Sequence, residues 1–231
     1  MLVSRGSGVR FAEARVAELL GQETLLVDVT RGPSELAESL LAAGDALGCD
    51  LFVFVDVGGD VLAHGDEDGL ASPLCDAVML AAAARLRDRG TVLGGVFGPG
   101  CDGELTPAEV LDRVAEVAAA GGLAGSRGLT PAVVERLDQA VETVPTEASA
   151  QALRCFRGER GTTTIREGRR AVELSPLGAT TIYFDPAAAV DSAARLARAV
   201  LGAGDLEEAN EGLHALGLRT ELDYERLRDD R

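Results

Sequence analysis

Two aspartates bracket a glycine pair in the run Asp56-Val57-Gly58-Gly59-Asp60. Carboxylates in that pattern suit two chemistries. They can ligate a hard divalent cation such as magnesium, or they can transfer protons, with Gly58 and Gly59 letting backbone amides approach a ligand. His64 and Glu67 follow in the same polar turn, where an imidazole beside Asp60 or Glu67 can serve as general acid or base. Asp56, Asp60, His64 and Glu67 are therefore the candidate catalytic residues, and Asp56 and Asp60 the candidate metal ligands. The same residues have a purely structural reading. In it Asp56 ends its strand by accepting turn amides, the glycines serve conformation alone, His64 is an ordinary loop histidine, and Asp66-Glu67-Asp68 is solvated.

Those turns need elements to hold them. Thr24–Val29 reads as a strand closed by Thr30-Arg31-Gly32, and Pro33-Ser34 opens a helix reaching Gly48. Leu51–Val55 is apolar on both faces, which predicts a strand inside a parallel sheet. Ser72-Pro73 starts an alanine-rich helix through Leu86, and Thr91–Phe97 is the third strand. Thr106-Pro107-Ala108-Glu109 is a capping box with proline at the first helical position, and Gly121-Gly122 stops that helix. Strand and helix alternate, as in a three-layer, doubly wound, mainly parallel α/β sheet. Further on, Thr130-Pro131 caps a helix and Glu147–Phe156 forms another. Thr162–Arg166 and Arg170–Leu174 make a hairpin around Glu167-Gly168, and Thr180–Phe184 is a last strand. One amphipathic helix from Pro186 through Leu201 and one or two C-terminal helices complete a single domain over residues 1–231, with a βαβ core in 1–125.

Ligands of such a sheet bind beyond the carboxyl ends of its strands, where loops meet helix N-termini. That places Asp28, Gly58, Gly59, Ser72, Gly95 and Gly98 among the candidate ligand contacts. Glu147 and Ser149, near Arg154 and Arg157, form a second polar group, although capping by Thr146 explains much of it. Ser72 also reads as a simple helix cap, and Cys101, with no neighbouring histidine, as a passive thiol. Arg166, Arg169 and Arg170 read as a solvated patch.

The chain has 231 residues, 46% of them hydrophobic and 26% charged, which excludes a disordered chain. Its 22 basic residues, all arginine, face 38 acidic ones, giving a net charge of −16. That charge argues against a broad nucleic-acid or anionic-membrane surface. Cys49, Cys75, Cys101 and Cys155 lack Cys-x-x-Cys spacing, so a structural zinc site is not expected. Without a signal peptide or long apolar span the reading is a cytoplasmic protein with reduced thiols. A dinucleotide fingerprint, a phosphate-binding lysine loop and a nucleophile elbow are absent.

The turn Asp56-Val57-Gly58-Gly59-Asp60, continued by Gly65-x-Glu67 and Leu70-x-Ser72-Pro73-Leu74-x-Asp76, and later by Pro145-Thr146-Glu147-Ala148-Ser149, resembles the family called domain of unknown function 1152. The resemblance runs from the first strand to the Asp185 region and brings no established reaction with it. It implies an additional N-terminal strand leading into a Gly-Gly-Gly-Asp turn. Here Gly6-Ser7-Gly8 is followed directly by a helical segment, Phe11 to Leu20, so that element is expected to be lost or to lie upstream, leaving the sheet short of a central strand. A slighter similarity, the Asp-x-Gly-Gly core alone, is to glutamate-cyclase-like lyases. The expected function is an enzyme binding a small anionic metabolite or nucleotide-like ligand, with a divalent metal as its cofactor. The alternative is a non-catalytic ligand-binding or scaffold protein of the same fold. A homodimer through an exposed sheet edge is the expected assembly.

Overall fold

The computed structural model describes residues 11–87, 89–144 and 146–229; Gly6-Ser7-Gly8 and Pro145 lie outside them. In chain order the elements begin with α1 (Ala12–Leu20), α2 (Gly32–Leu47), β1 (Leu51–Val57), α3 (Pro73–Arg85) and β2 (Thr91–Phe97). They continue with α4 (Pro107–Ala119), β3 (Leu123–Gly128), α5 (Pro131–Thr143), α6 (Glu147–Phe156), β4 (Gly161–Ile165), β5 (Arg170–Leu174) and β6 (Thr180–Phe184). The chain closes with α7 (Pro186–Asp191), α8 (Arg195–Val200), α9 (Leu206–His214) and α10 (Glu221–Asp229).

The fold is α/β. Four strands form one mixed sheet in the order β1-β2-β6-β3, and β4 with β5 forms a separate hairpin. β1 and β2 are parallel, from Leu51 opposite Thr91 to Val57 opposite Phe97, and α3 makes the crossover between them. β6 runs antiparallel to both β2 and β3. β1, β2 and β3 thus share a direction with β6 reversed among them, and the carboxyl ends of β1 and β2 open at the same edge.

Helix α3 is the centre of the packing. Leu74, Ala77, Val78, Leu80, Ala81, Ala82 and Ala83 are all buried, because α3 touches α2, α7, α8 and α9 as well as β1 and β2. Alanine on so many sides lets those neighbours approach, while Leu36, Val96, Val110, Phe184 and Leu213 fill the space between them. Burial of each such side chain contributes about 1.5–3 kcal/mol. A smaller cluster of Cys101, Ala152, Cys155, Ile165, Val172 and Leu174 lies under the hairpin. No helix among the described residues is long and apolar enough to cross a membrane.

Several local expectations are corrected. Thr24–Val29 is not a strand; residues 24–28 are irregular and run into a tight turn, Val29–Arg31, capped by Asp28. β1 is consequently an edge strand and not an interior one, with Leu51, Val53 and Val55 on its open face 48%, 42% and 54% exposed. β3 was not expected, since Leu-Ala-Gly-Ser-Arg-Gly carries no apolar period and all six residues are exposed; pairing with β6 alone makes it a strand. The single helix from Pro186 is two, broken at residues 192–194. There the Arg198 guanidinium donates to the carbonyls of Val190 (2.7 Å) and Ser192 (3.2 Å), satisfying acceptors that the break leaves free. The Thr106–Glu109 capping box is present with both reciprocal bonds, and the hairpin turns through positive φ at Arg166, Glu167 and Gly168.

Candidate metal centre

Asp56 is the penultimate residue of β1, and its Oδ2 accepts the Gly59 amide at 2.8 Å. That bond folds the chain back after the strand and starts the turn Asp60–Leu62, which brings Asp60 beneath Asp56. Asp76 comes from the first turns of α3. Asp102 and Glu104 come from the loop after β2, which the Gly100 amide ties to the Gly58 carbonyl at 2.7 Å. Ligand atoms of Asp56, Asp60 and Asp76 lie within 4.8 Å of one another, and so do those of Asp60, Asp102 and Glu104. Five carboxylates thus converge at the carboxyl ends of the two parallel strands, joined by Asp60.

Close approach at Gly58 is what admits Asp102. A Cβ on Gly58, whose φ is +123°, would stand 2.0 Å from Asp102 Oδ1. The room at Gly58 is therefore filled by a protein carboxylate, and the amides of Gly58 and Gly59 are engaged by the Phe97 carbonyl and Asp56. Asp102 is 7% exposed, and its Oδ1 is buried with no hydrogen-bond partner. An unpartnered buried carboxylate oxygen is costly, and Asp102 belongs to a cluster of like groups.

The electrostatics follow from that crowding. Burial, reinforced by Asp76, pushes Asp56 up to about 8. Burial raises Asp60 well above the ordinary carboxylate range, with Asp56, Asp76, Asp102 and Glu104 adding to the effect. Burial raises Asp76 to about 7 even though Asp60 donates a hydrogen bond to it, and burial with the Glu104 charge takes Asp102 to about 7. Asp60 is accordingly pushed toward its protonated form, from which it donates to Asp76. Glu104 differs. Burial pushes it up, but the Ser72 hydroxyl, the amides of Ala71 and Ser72, and Arg170 at 2.7 Å together hold it below its usual value. Glu104 is thus already charge-compensated, whereas no cationic side chain among the described residues acts on the four aspartates.

Ser72 does not cap α3 with its side chain; its hydroxyl donates to Glu104 Oε1 at 2.5 Å. The N-terminus of α3 is closed by Glu104 on one side and by Glu221, which accepts the amides of Leu74 and Cys75, on the other. His64 and Glu67 are near in sequence but serve a different network. Glu67 accepts the amides of His64 and Gly65 and pairs with Arg113 at 3.2 Å, while His64 Nε2 meets Glu116 at 3.0 Å. Asp28 caps its own turn, Glu147 accepts the Arg166 amide at 3.1 Å, and Ser149 accepts the Thr146 hydroxyl. Gly95 lies within β2 opposite Tyr183, and Gly98 begins the loop that carries Cys101. The fold therefore gathers Asp56 and Asp60 with Gly58, Gly59 and Ser72 at the cluster, and leaves His64, Glu67, Asp28, Gly95, Gly98, Glu147 and Ser149 outside it. Asp76, Asp102 and Glu104 were missed as site residues, although each stood in a glycine-rich or proline-opened turn at a strand's carboxyl end.

A cavity of about 340 Å³ reaches Asp56 and Asp76 between apolar walls that include Phe52, Phe54, Val61 and Met79. A second, of about 410 Å³, is lined by His64, Gly65, Asp66, Arg195, Arg198 and Leu216.

The family described as a protein of unknown function (DUF1152) matches residues 2–229. The chain belongs to the DUF1152 family. No curated protein and no solved structure matches it. In this DUF1152 chain the family turn Asp56-x-Gly-Gly-Asp60 and Asp76 thus come together in one carboxylate cluster.

Proposed function

We propose that Asp56, Asp60, Asp76 and Asp102 hold a divalent cation of the magnesium class, and that the cation binds an oxygen of a small anionic ligand lodged in the cavity beside Asp56 and Asp76. The observation that supports this most is the buried, unpartnered Oδ1 of Asp102, a residue whose carboxylate lies in one cluster with those of Asp60 and Glu104 and is joined through Asp60 to Asp56 and Asp76. All-oxygen donors suit hard cations, which commonly keep some coordination positions for water or a ligand phosphate. A cation there would displace the Asp60 proton, remove the mutual repulsion and act as a Lewis acid on the ligand, which is the basis for reading the chain as an enzyme. Free thiols at all four cysteines agree with a reducing, cytoplasmic setting.

The test is manganese and magnesium binding by calorimetry at pH 8, with Asp60→Asn beside the unaltered chain. Saturable binding and a rise in melting temperature, both lost in Asp60→Asn, are expected. A ligand at a hundredfold its dissociation constant stabilises by about 2.7 kcal/mol. A cooperatively melting protein that binds neither ion would overturn the reading in favour of a non-catalytic scaffold. Repeating the melt with nucleotides, sugar phosphates and amino acids, with and without the metal, then identifies the ligand class.

A further inference from the structure

Cys101, in the loop after β2, and Cys155, near the end of α6, are far apart in sequence but meet in the satellite core. Both are free thiols, 1% and 3% exposed, packed with Ala152, Ile165, Val172 and Leu174. Their sulfurs converge on Gly178, where a Cβ would stand 2.6 Å from Cys155 Sγ and 2.9 Å from Cys101 Sγ. Only glycine at 178 leaves room for the pair. The Cys101 thiol donates to the Gly178 carbonyl at 3.8 Å with the Cys155 sulfur beside it, and the Cys155 sulfur accepts from the Ser175 backbone and lies near Arg154. The neighbouring Cys101 thiol is the chief influence that holds Cys155 down to about 7. Cys155 thus has the character of the attacking sulfur, and Cys101 that of its resolving partner.

We propose that Cys101 and Cys155 form a hydroperoxide-sensitive dithiol whose closure to a disulfide draws Asp102 away from the carboxylate cluster and weakens cation binding. The effect on the cation rests on the function proposed above; the disulfide itself does not. The Cys155 thiolate attacks a peroxide oxygen, so an S–O bond forms, the O–O bond breaks and the departing hydroxide or alkoxide takes a proton. Cys101 then attacks the Cys155 sulfenic acid. The S–S bond forms, the S–O bond breaks, and the Cys101 proton leaves with hydroxide as water. A dithiol reductant reverses the change. Burial of both sulfurs favours a small oxidant, hence hydrogen peroxide.

Closure has a direction. A disulfide holds its sulfurs about 2.05 Å apart, well inside the contact distance of two free thiols, so closure pulls the two segments toward each other. Cys155 is anchored in α6 between buried Leu153 and the helix end. Cys101 lies in a loop with Gly98, Gly100 and Gly103 at positive φ. The loop is pinned before Cys101 by the Gly98 amide on Thr180 and the Gly100 amide on Gly58, so the pull of closure passes to Asp102, the next residue, whose Oδ1 is held by no hydrogen bond.

The experiment uses the full chain with the exposed Cys49 and Cys75 changed to serine, treated with hydrogen peroxide and mapped by mass spectrometry without reduction, followed by manganese titration of the reduced and oxidised forms. A cross-linked peptide pair spanning Cys101 and Cys155 is expected, with manganese binding weakened at least several-fold and restored by dithiothreitol. Cys155→Ser should show neither change, and Gly178→Ala should slow cross-linking by forcing the sulfurs apart. Over-oxidised Cys155 without a cross-link in folded protein would overturn the dithiol, and a cross-link with unchanged manganese affinity would overturn its coupling to Asp102. Should the reduced protein bind no manganese, the cation reading and the coupling fall together, while the peptide map still decides the dithiol.

Discussion

Asp60 carries the most of any single side chain at the centre, because it belongs to both groups of convergent carboxylates and burial pushes it toward its protonated form. Asp60→Asn retains a neutral donor toward Asp76 but cannot become the carboxylate that a cation requires. It should therefore leave the melting temperature of metal-free protein little changed, and it should abolish the rise produced by manganese. The pH dependence has a definite sign. Asp56, Asp76 and Asp102 are raised from 3.8 to about 8, 7 and 7, so between those limits the folded chain binds more protons than the unfolded one. Their contribution to stability is consequently lost as pH rises through 7 to 8. Metal-free melting temperature should fall from pH 5 to pH 8.5, and magnesium should flatten that fall, with the largest effect at the alkaline end. A fall that magnesium leaves untouched would count against the centre. Gly58→Ala meets both a positive φ and the Asp102 carboxylate, so about 1–3 kcal/mol of backbone strain alone is expected in urea denaturation.

Elements matter chiefly through their ends. The first turn of α3 receives Glu104 from the β2 loop and Glu221 from α10, so two distant segments hold the helix that carries Asp76. Glu221→Gln weakens two charge-assisted bonds and should cost about 0.5–2 kcal/mol, the scale of a helix cap, with faster amide exchange at Leu74 and Cys75. The Ser72-Pro73 signal placed the start of α3 correctly, but the cap itself comes from carboxylates that are distant in sequence. The reverse holds for α4, where Thr106 and Glu109 satisfy each other locally and the sequence pattern was sufficient. Neither β3 nor the interruption between α7 and α8 could be read this way. One depends on β6 as a partner and the other on Arg198 reaching back to its carbonyls.

For the whole molecule, the open edge of β1 is the feature with the broadest consequence. Among the described residues β1 is an edge strand with Leu51, Val53 and Val55 exposed, in a chain whose net charge of −16 otherwise opposes association. The expected homodimer would use this edge. Sedimentation velocity should show self-association that strengthens with added salt and is reduced by Val53→Lys; an unaltered chain that stays monomeric in high salt would argue against this edge as the interface.

The sequence by itself determined the run α2, β1, α3, β2 and α4, the capped starts of α4 and α5, the hairpin turn, and the pairing of Asp56 with Asp60 across two glycines. Each is settled by contacts within a few residues, where periodicity, proline and capping chemistry act. Only the tertiary structure decided that β1 lies at an edge and that Asp76 and Asp102 complete the cluster while His64 and Glu67 turn to Arg113 and Glu116. It alone brought Cys101 to Cys155. Those outcomes depend on which distant segments share one end of the sheet, and a buried carboxylate or thiol takes its chemistry from neighbours that sequence spacing does not name.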